Sequence, residues 1–168
     1  MPVDLDSTVR ALAPKLLGYC FLETGDPGLA EEISQDTLTA LVQRWRRHGP
    51  PDSPAAFVFA IARRRSARAM VRRRLWRPLE DAFGFGDGRP NPEQATLRSD
   101  GRARVGRALS RLKPKDRQVL LLLTVWDVGM EDAARTLGIS LSAAKMRALR
   151  ARQRLRALLE EGDGDGQR

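Results

Sequence analysis

Apolar residues recur at helical spacing from the start of the chain. Leu5, Val9, Leu12, Leu16, Leu17 and Phe21 predict a first helix over residues 5–22. Gly25, Asp26, Pro27 and Gly28 then read as a turn. Ile33, Thr37, Leu38, Leu41 and Trp45 line one side of a second helix over 29–47. Glu31, Glu32, Gln35 and Asp36 crowd its first turns, where acids suit the positive end of the helix dipole. The prolines and glycine of 48–54 break the pattern. A third helix follows over 55–74, with Phe57, Val58, Ile61, Ala62 and Ala69 as its apolar side. Arg63, Arg64, Arg65, Arg68, Arg72, Arg73 and Arg74 dominate the rest of that helix. So many like charges repel at i, i+4, which favours an anionic partner over plain solvation.

Residues 76–91 are rich in Gly, Pro and Asp and read as a linker. Asn91, Pro92 and Gln94 have the chemistry of a helix start: a cap, a proline at the first helical position and a capping-box partner. That helix is expected to reach Leu112 through Leu97, Val105, Ala108 and Leu109. Pro114 ends it and opens the next, from Lys115 to Trp126, with an unbroken apolar run at 119–123. The polar, Gly-rich tail from Glu160 is expected to be disordered.

Residues 130–158 hold the sharpest local signal. Met130–Leu137 predicts a short helix with Gly129 as its N-cap and Ala133, Ala134 and Leu137 facing inward. Gly138 follows as the residue that takes positive φ at low cost. Ile139 plugs the core and Ser140 caps the next helix. In that helix Ala144, Ala148, Ala151, Leu155 and Leu158 form one apolar stripe, and Lys145, Arg147, Arg150, Arg152, Arg154 and Arg156 occupy the other sides. Helix, Gly turn and basic second helix is how a helix is presented to the DNA major groove. The small Ser142 and Ala143 let its N-terminal end approach base edges, while the basic residues hold phosphates or read guanine. An ordinary amphipathic hairpin with a solvated basic face explains the charge alone. It does not explain why cap, turn, plug and charge agree.

Composition sharpens this picture. The 168 residues carry a net charge of +9, with 26 Arg against 4 Lys, and only 5% are aromatic. Few aromatics with abundant Ala and Leu favour helices over sheets. The charge is distributed in blocks: −5 over 1–36, +10 over 37–77, −3 over 78–100, +10 over 101–159 and −3 over 160–168. Two basic blocks separated by acidic stretches suggest two contacts with a polyanion. Cys20 is the only cysteine, so an internal disulfide or a Cys-based zinc cluster is excluded, and its helical context makes it a small core residue. His48 is the only histidine and lies in a Pro-rich loop. Glu32 and Asp36 are an i, i+4 carboxylate pair that a charged helix face explains. With no nucleophile, base or metal constellation and no Gly-rich phosphate loop, the chain reads as a non-enzyme with no cofactor and no metal. Without a signal stretch or an apolar run of about 18 residues, it is expected to be soluble and cytoplasmic, with no membrane insertion.

Three stretches of the second half, 109–123, 131–140 and 145–156, resemble domain four of a sigma factor of the extracytoplasmic-function (ECF) type in the sigma-70 family. Gly25-Asp26-Pro27, residues 30–38 and residues 57–63 are similar to domain two of the same family. The resemblance covers roughly residues 5–160 in the family's order. It implies an all-α protein of two small helical domains: domain two over 1–77, a flexible linker over 78–91, domain four over 92–160 and a tail over 161–168. It implies that Glu31, Glu32, Gln35 and Asp36 bind the clamp helices of the largest subunit of core RNA polymerase. Ser53, in a loop that receives a flipped −10 base, and Arg63, Arg64 and Arg68 are the implied −10 contacts. Ser142, Ala143, Lys145, Met146, Arg147 and Arg150 are the implied −35 contacts. Promoter DNA and an anti-sigma factor complete the implied partners. Arg64 and Arg68 stand where the family usually has Asn and Asp; Ser142-Ala143-Ala144 and Met146 replace the common Gly-Thr-Val and Ser; Val42 replaces a common Trp. These departures bear on promoter sequence more than on fold. The alternative is a stand-alone helix-turn-helix regulator, which leaves the acidic second helix and the paired basic blocks without a purpose.

Overall fold

The computed structural model describes the backbone of residues 4–83 and 100–164, with side chains described for 4–73 and 104–161. Seven helices are described: α1 (Leu5–Thr24), α2 (Pro27–His48), α3 (Pro54–Phe83), α4 (Asp100–Ser110), α5 (Pro114–Thr124), α6 (Met130–Leu137) and α7 (Leu141–Gly164). The chain divides into two units, Met1–Asn91 and Pro92–Arg168, each with its own set of packed helices.

In the first unit α1, α2 and α3 pack on one another. Asp4 caps α1 by accepting from the Ser7 N–H at 2.9 Å, and that hydrogen bond holds its carboxyl below the ordinary carboxylate range. Gly25 ends the helix in the left-handed region at φ 66°, its N–H donating to the Phe21 carbonyl at 2.8 Å. Asp26 then caps α2 by accepting from the Leu29 N–H at 3.0 Å, with Pro27 in the first turn. The core is built from Leu12, Leu16 and Tyr19 of α1, Ala30, Ile33 and Leu41 of α2, and Val58, Phe59 and Ala62 of α3. Tyr19 and Phe59 stack tilted with ring centroids 4.8 Å apart.

The pattern reading placed Leu17 and Phe21 on the apolar side of α1, but both are exposed. It named Phe57 rather than Phe59 for the core of α3; Phe59 is fully buried and Phe57 half-buried. In a three-helix unit the burying stripe on α3 is set by where α1 and α2 lie, and the run from Phe57 to Ile61 offers apolar residues on nearly every side.

Cys20 lies at the centre of this unit, fully buried. Burial pushes its thiol up from the ordinary value of 9.0, and the hydroxyls of Ser34 on α2 and Ser66 on α3 act in the opposite sense. Ser34 and Ser66 are themselves buried, as are Thr24 of α1 and Thr37 of α2, so all three helices contribute small polar groups to the core.

In the second unit α7 packs against α4, α5 and α6. Ala108, Leu112, Leu120, Ala151 and Leu158 form a buried cluster, flanked by Leu109, Leu155 and Leu159. The helix α5 stops at Thr124, short of the expected Trp126. Asp127 adopts φ 52°, and the resulting turn lets Trp126 and Val128 both bury.

Arginine has a structural task here that composition did not reveal. Arg117 is buried and aims its Nη1 at the carbonyls of Leu109, Ser110 and Leu112, at 3.4, 3.3 and 3.4 Å, at the end of α4. Arg104 donates to the Leu159 carbonyl at 2.7 Å, and Arg44 to the Gly49 carbonyl at 2.8 Å. Arg117 and Arg44 bring a cation to the negative end of a helix, where last-turn carbonyls lack partners, whereas the Leu159 carbonyl taken by Arg104 lies inside α7.

Two expected boundaries move furthest. The helix α3 continues to Phe83, past Arg74 and into the stretch read as linker. Glycines become frequent only from Gly84, and a single proline, Pro78, interrupts the good helix formers before it. The helix α7 continues to Gly164, into the stretch read as a disordered tail. Glu161 pairs with Arg111 at 3.7 Å and Arg154 at 3.6 Å, which ties the last described turn to the body of the unit. The expected helix start at Asn91, together with Leu97, lies outside the described residues. Among the described residues no helix is long and apolar enough to cross a membrane.

Candidate nucleic-acid interface

The turn between α6 and α7 is built as its residues dictate. Gly138 takes φ 65° and its N–H donates back toward the last turn of α6. A Cβ at this position meets nothing within 4 Å, so the glycine is there for its backbone angle and not for space. Ser140 caps α7, its Oγ accepting from the Ala143 N–H at 3.1 Å. Ala133 and Ala134 of α6 and Ala144, Ala148 and Ala151 of α7 are buried, so small side chains bring the two helices close.

That packing decides which face of α7 reaches outward. Ser142, Lys145, Met146 and Arg150 are exposed, while Ala143 and Arg147 are half-buried on the flank. These six residues share the first turns of one helix. Arg150 leans toward Asp116 of α5 at 3.9 Å; the guanidinium is exposed and the carboxylate mostly covered.

In the first unit the named residues form two neighbouring groups. Glu31, Glu32, Gln35 and Asp36 are all exposed, on the side of α2 opposite buried Ala30, Ile33, Ser34, Thr37 and Leu41. Arg64 and Arg68 lie on the outward face of α3, with Arg63 half-buried beside them. Arg64 Nε donates to the Ala60 carbonyl at 3.2 Å. Ser53 sits at the other end of α3, where its Oγ accepts from the Ala56 N–H at 3.2 Å as a helix cap.

The two groups are linked by contacts absent from the sequence reading. Arg65 of α3 forms an ion pair with Asp36 of α2, and Arg73 reaches Asp26 at 3.3 Å. Arg65 and Asp116 therefore join the candidate site as partners of Asp36 and Arg150, while Arg73 ties α3 to the cap of α2. No local pattern marks them, because each pairs across a long stretch of chain and one helical arginine looks like the next.

A helix-turn-helix with a basic second helix in one unit, and acidic and basic faces on the three helices of the other, define a DNA-binding protein with two contact modules. Residues 8–77 match the family model for sigma-70 region 2, and residues 102–155 match that for sigma-70 region 4. The chain is 30% identical over 145 residues to the ECF RNA polymerase sigma factor RpoE of Cereibacter sphaeroides, covering 86% of this chain and 80% of that one. It is likewise 30% identical over 172 residues to the ECF sigma factor ShbA of Streptomyces griseus, covering 94% and 90%. Among solved structures it resembles the sigma factor RpoE of Bartonella quintana, determined in complex with the anti-sigma factor NepR. The TM-score is 0.68 at 25% identity, covering 92% of this chain and 96% of that one. The chain belongs to the ECF sigma factors of the sigma-70 family. It is a non-catalytic initiation factor that directs RNA polymerase to promoters.

Proposed function

We propose that the two units divide promoter recognition between them. Residues 1–77 bind core RNA polymerase and the −10 element, residues 92–160 bind the −35 element as duplex, and 78–91 connect them. Glu31, Glu32, Gln35 and Asp36 meet the clamp helices of the largest polymerase subunit, as an acidic patch suits a surface of complementary charge. Ser53 and the arginines Arg63, Arg64 and Arg68 follow the opened −10 strand, where phosphates supply the counter-charge and an extruded base is held by stacking and pocket contacts. Ser142, Ala143, Lys145, Met146, Arg147 and Arg150 meet the −35 groove.

The observation that carries this reading is the seat of α7. One stripe of the helix is sunk among α4, α5 and α6, while its N-terminal turns project from a capped Gly138 turn with Ser142, Lys145, Met146 and Arg150 exposed. The protein works in the cytoplasm, where polymerase and promoter are. An anti-sigma factor is a further partner, supported by the NepR complex of the Bartonella relative.

The deciding experiment is in vitro transcription with added core polymerase and start sites mapped across the genome. Lys145→Ala and Arg147→Ala are expected to lower −35 duplex binding in a gel-shift titration. A stand-alone regulator would instead bind its sites without polymerase and fail to co-purify with the core enzyme.

A further inference from the structure

The exposed side of α7 is not uniformly basic. At 3.6 residues per turn, Ser142, Met146, Leu149 and Gln153 fall on one line directly opposite the buried stripe Ala144, Ala148, Ala151 and Leu155. This outermost ridge carries no charge. Met146 is 53% exposed and Leu149 47% exposed, among the few large apolar side chains left open to solvent. Lys145, Arg152 and Arg156 run along one flank of the ridge; Arg150 stands on the other, with half-buried Arg147 and Arg154, which pairs with Glu161, further round toward the buried stripe.

A helix whose cations serve only solubility places them where water is most accessible, on the ridge itself. Here the cations stand aside and two apolar chains hold the outermost line. That order matches the cross-section of a major groove: base edges on the floor and phosphates along both rims. The groove is about 12 Å wide and a helix with its side chains about 10–12 Å across, so ridge and flanks engage floor and rims together. Charge complementarity selects duplex DNA as the occupant over an apolar protein segment.

We infer that Ser142, Met146, Leu149 and Gln153 read the base edges of the −35 element, with Met146 and Leu149 against thymine C5-methyl groups. The Lys and Arg rows are phosphate clamps. Guanine is read by a bidentate Arg or Lys, and the ridge has neither; thymine presents a methyl group that apolar side chains meet, and adenine suits a Gln amide. The base pairs under the ridge are therefore A·T. Leu149 and Gln153 become specificity-determining residues beside Met146, and the inference rests on α7 being the −35 helix.

The test uses the full chain assembled with core polymerase. Promoters are selected from a library randomised across the −35 region, and each selected thymine is then replaced by deoxyuridine, which lacks only the C5-methyl. Wild type should lose about fourfold in promoter binding at one or two positions, the effect of one buried methyl. Met146→Ala should erase that sensitivity at one position and relax the selected base there, while Met146→Leu keeps it. Arg152→Ala should weaken all selected sequences alike and reduce the slope of log affinity against log salt by about 0.9. Deoxyuridine tolerated at every position, or Met146→Ala selecting the wild-type sequence, overturns the inference while leaving α7 as the −35 helix. If no −35 sequence is selected and Arg152→Ala changes nothing, the inference and the −35 assignment fall together.

Discussion

Arg65 on α3 donates to the carboxylate of Asp36 on α2, joining a residue of the proposed polymerase face to the helix of the proposed −10 face. Both side chains are about half exposed, so the pair contributes at most about 1 kcal/mol to stability. Its weight lies in where it sits. A cationic partner surface that takes Asp36 leaves Arg65 without its counter-charge beside Arg64 and Arg68.

Asp36→Asn is therefore expected to leave urea unfolding within about 1 kcal/mol of wild type and to reduce retention of core polymerase in a pull-down. Asp36→Arg should reduce it further, since it sets a second guanidinium against Arg65. Normal capture of the core enzyme by folded Asp36→Arg protein removes Asp36 from that interface.

Phe59 anchors the first unit from α3 against Tyr19 of α1. Phe59→Ala should destabilise by about 3–5 kcal/mol, the range for a large aromatic lost from a core. A unit this small tolerates such a loss poorly. Phe57→Ala, at a half-buried position, should cost clearly less. Chemical denaturation followed by circular dichroism ranks the two, and equal losses refute the assignment of Phe59 to the core.

Gly138 holds φ 65° with open space around it. Gly138→Ala should thus cost about 1–2 kcal/mol from backbone strain alone, and Ser140→Ala about 1 kcal/mol from the lost cap. Each variant should also weaken −35 duplex binding, because both residues set the entry angle of α7. Unchanged melting temperature in both variants contradicts this account of the turn.

Cys20 gives the fold an alkaline limit. Below the ordinary thiol value of 9.0 the group is protonated in both the folded and unfolded states and adds no pH dependence. Above it the unfolded chain releases the proton while the buried thiol, pushed higher, retains it. The unfolded state then binds fewer protons, so stability falls as pH rises. Cys20→Ala should flatten that decline in a pH series of urea titrations. Iodoacetamide should label wild type only once it is unfolded.

Much of the architecture was legible because its signals are local. The break in the chain at Gly25-Asp26, the Ser140 cap, the left-handed Gly138 and the stepped alanines of α7 depend on near neighbours in the chain. Six residues of α7 could be named for the proposed −35 contact for the same reason, since one amphipathic helix orders its own faces; Leu149 and Gln153 were passed over. The ends of α3 and α7 were less legible. Composition marks where a helix becomes weak, but Glu161 near the end of α7 also pairs with Arg111 from outside that helix, and that contact is tertiary.

The chain's own pattern determined helices, turns, charge blocks and the helix-turn-helix, since these follow from backbone preference and spacing within a few turns. Only the tertiary structure decided what each arginine does. Arg117, Arg104 and Arg44 end on carbonyls, Arg65 and Arg73 on carboxylates of α2, and Lys145, Arg152 and Arg156 stand at the exposed surface. A guanidinium is the same group in all these places. Its role is set by which acceptor the fold brings within reach, and that is a property of distance in space.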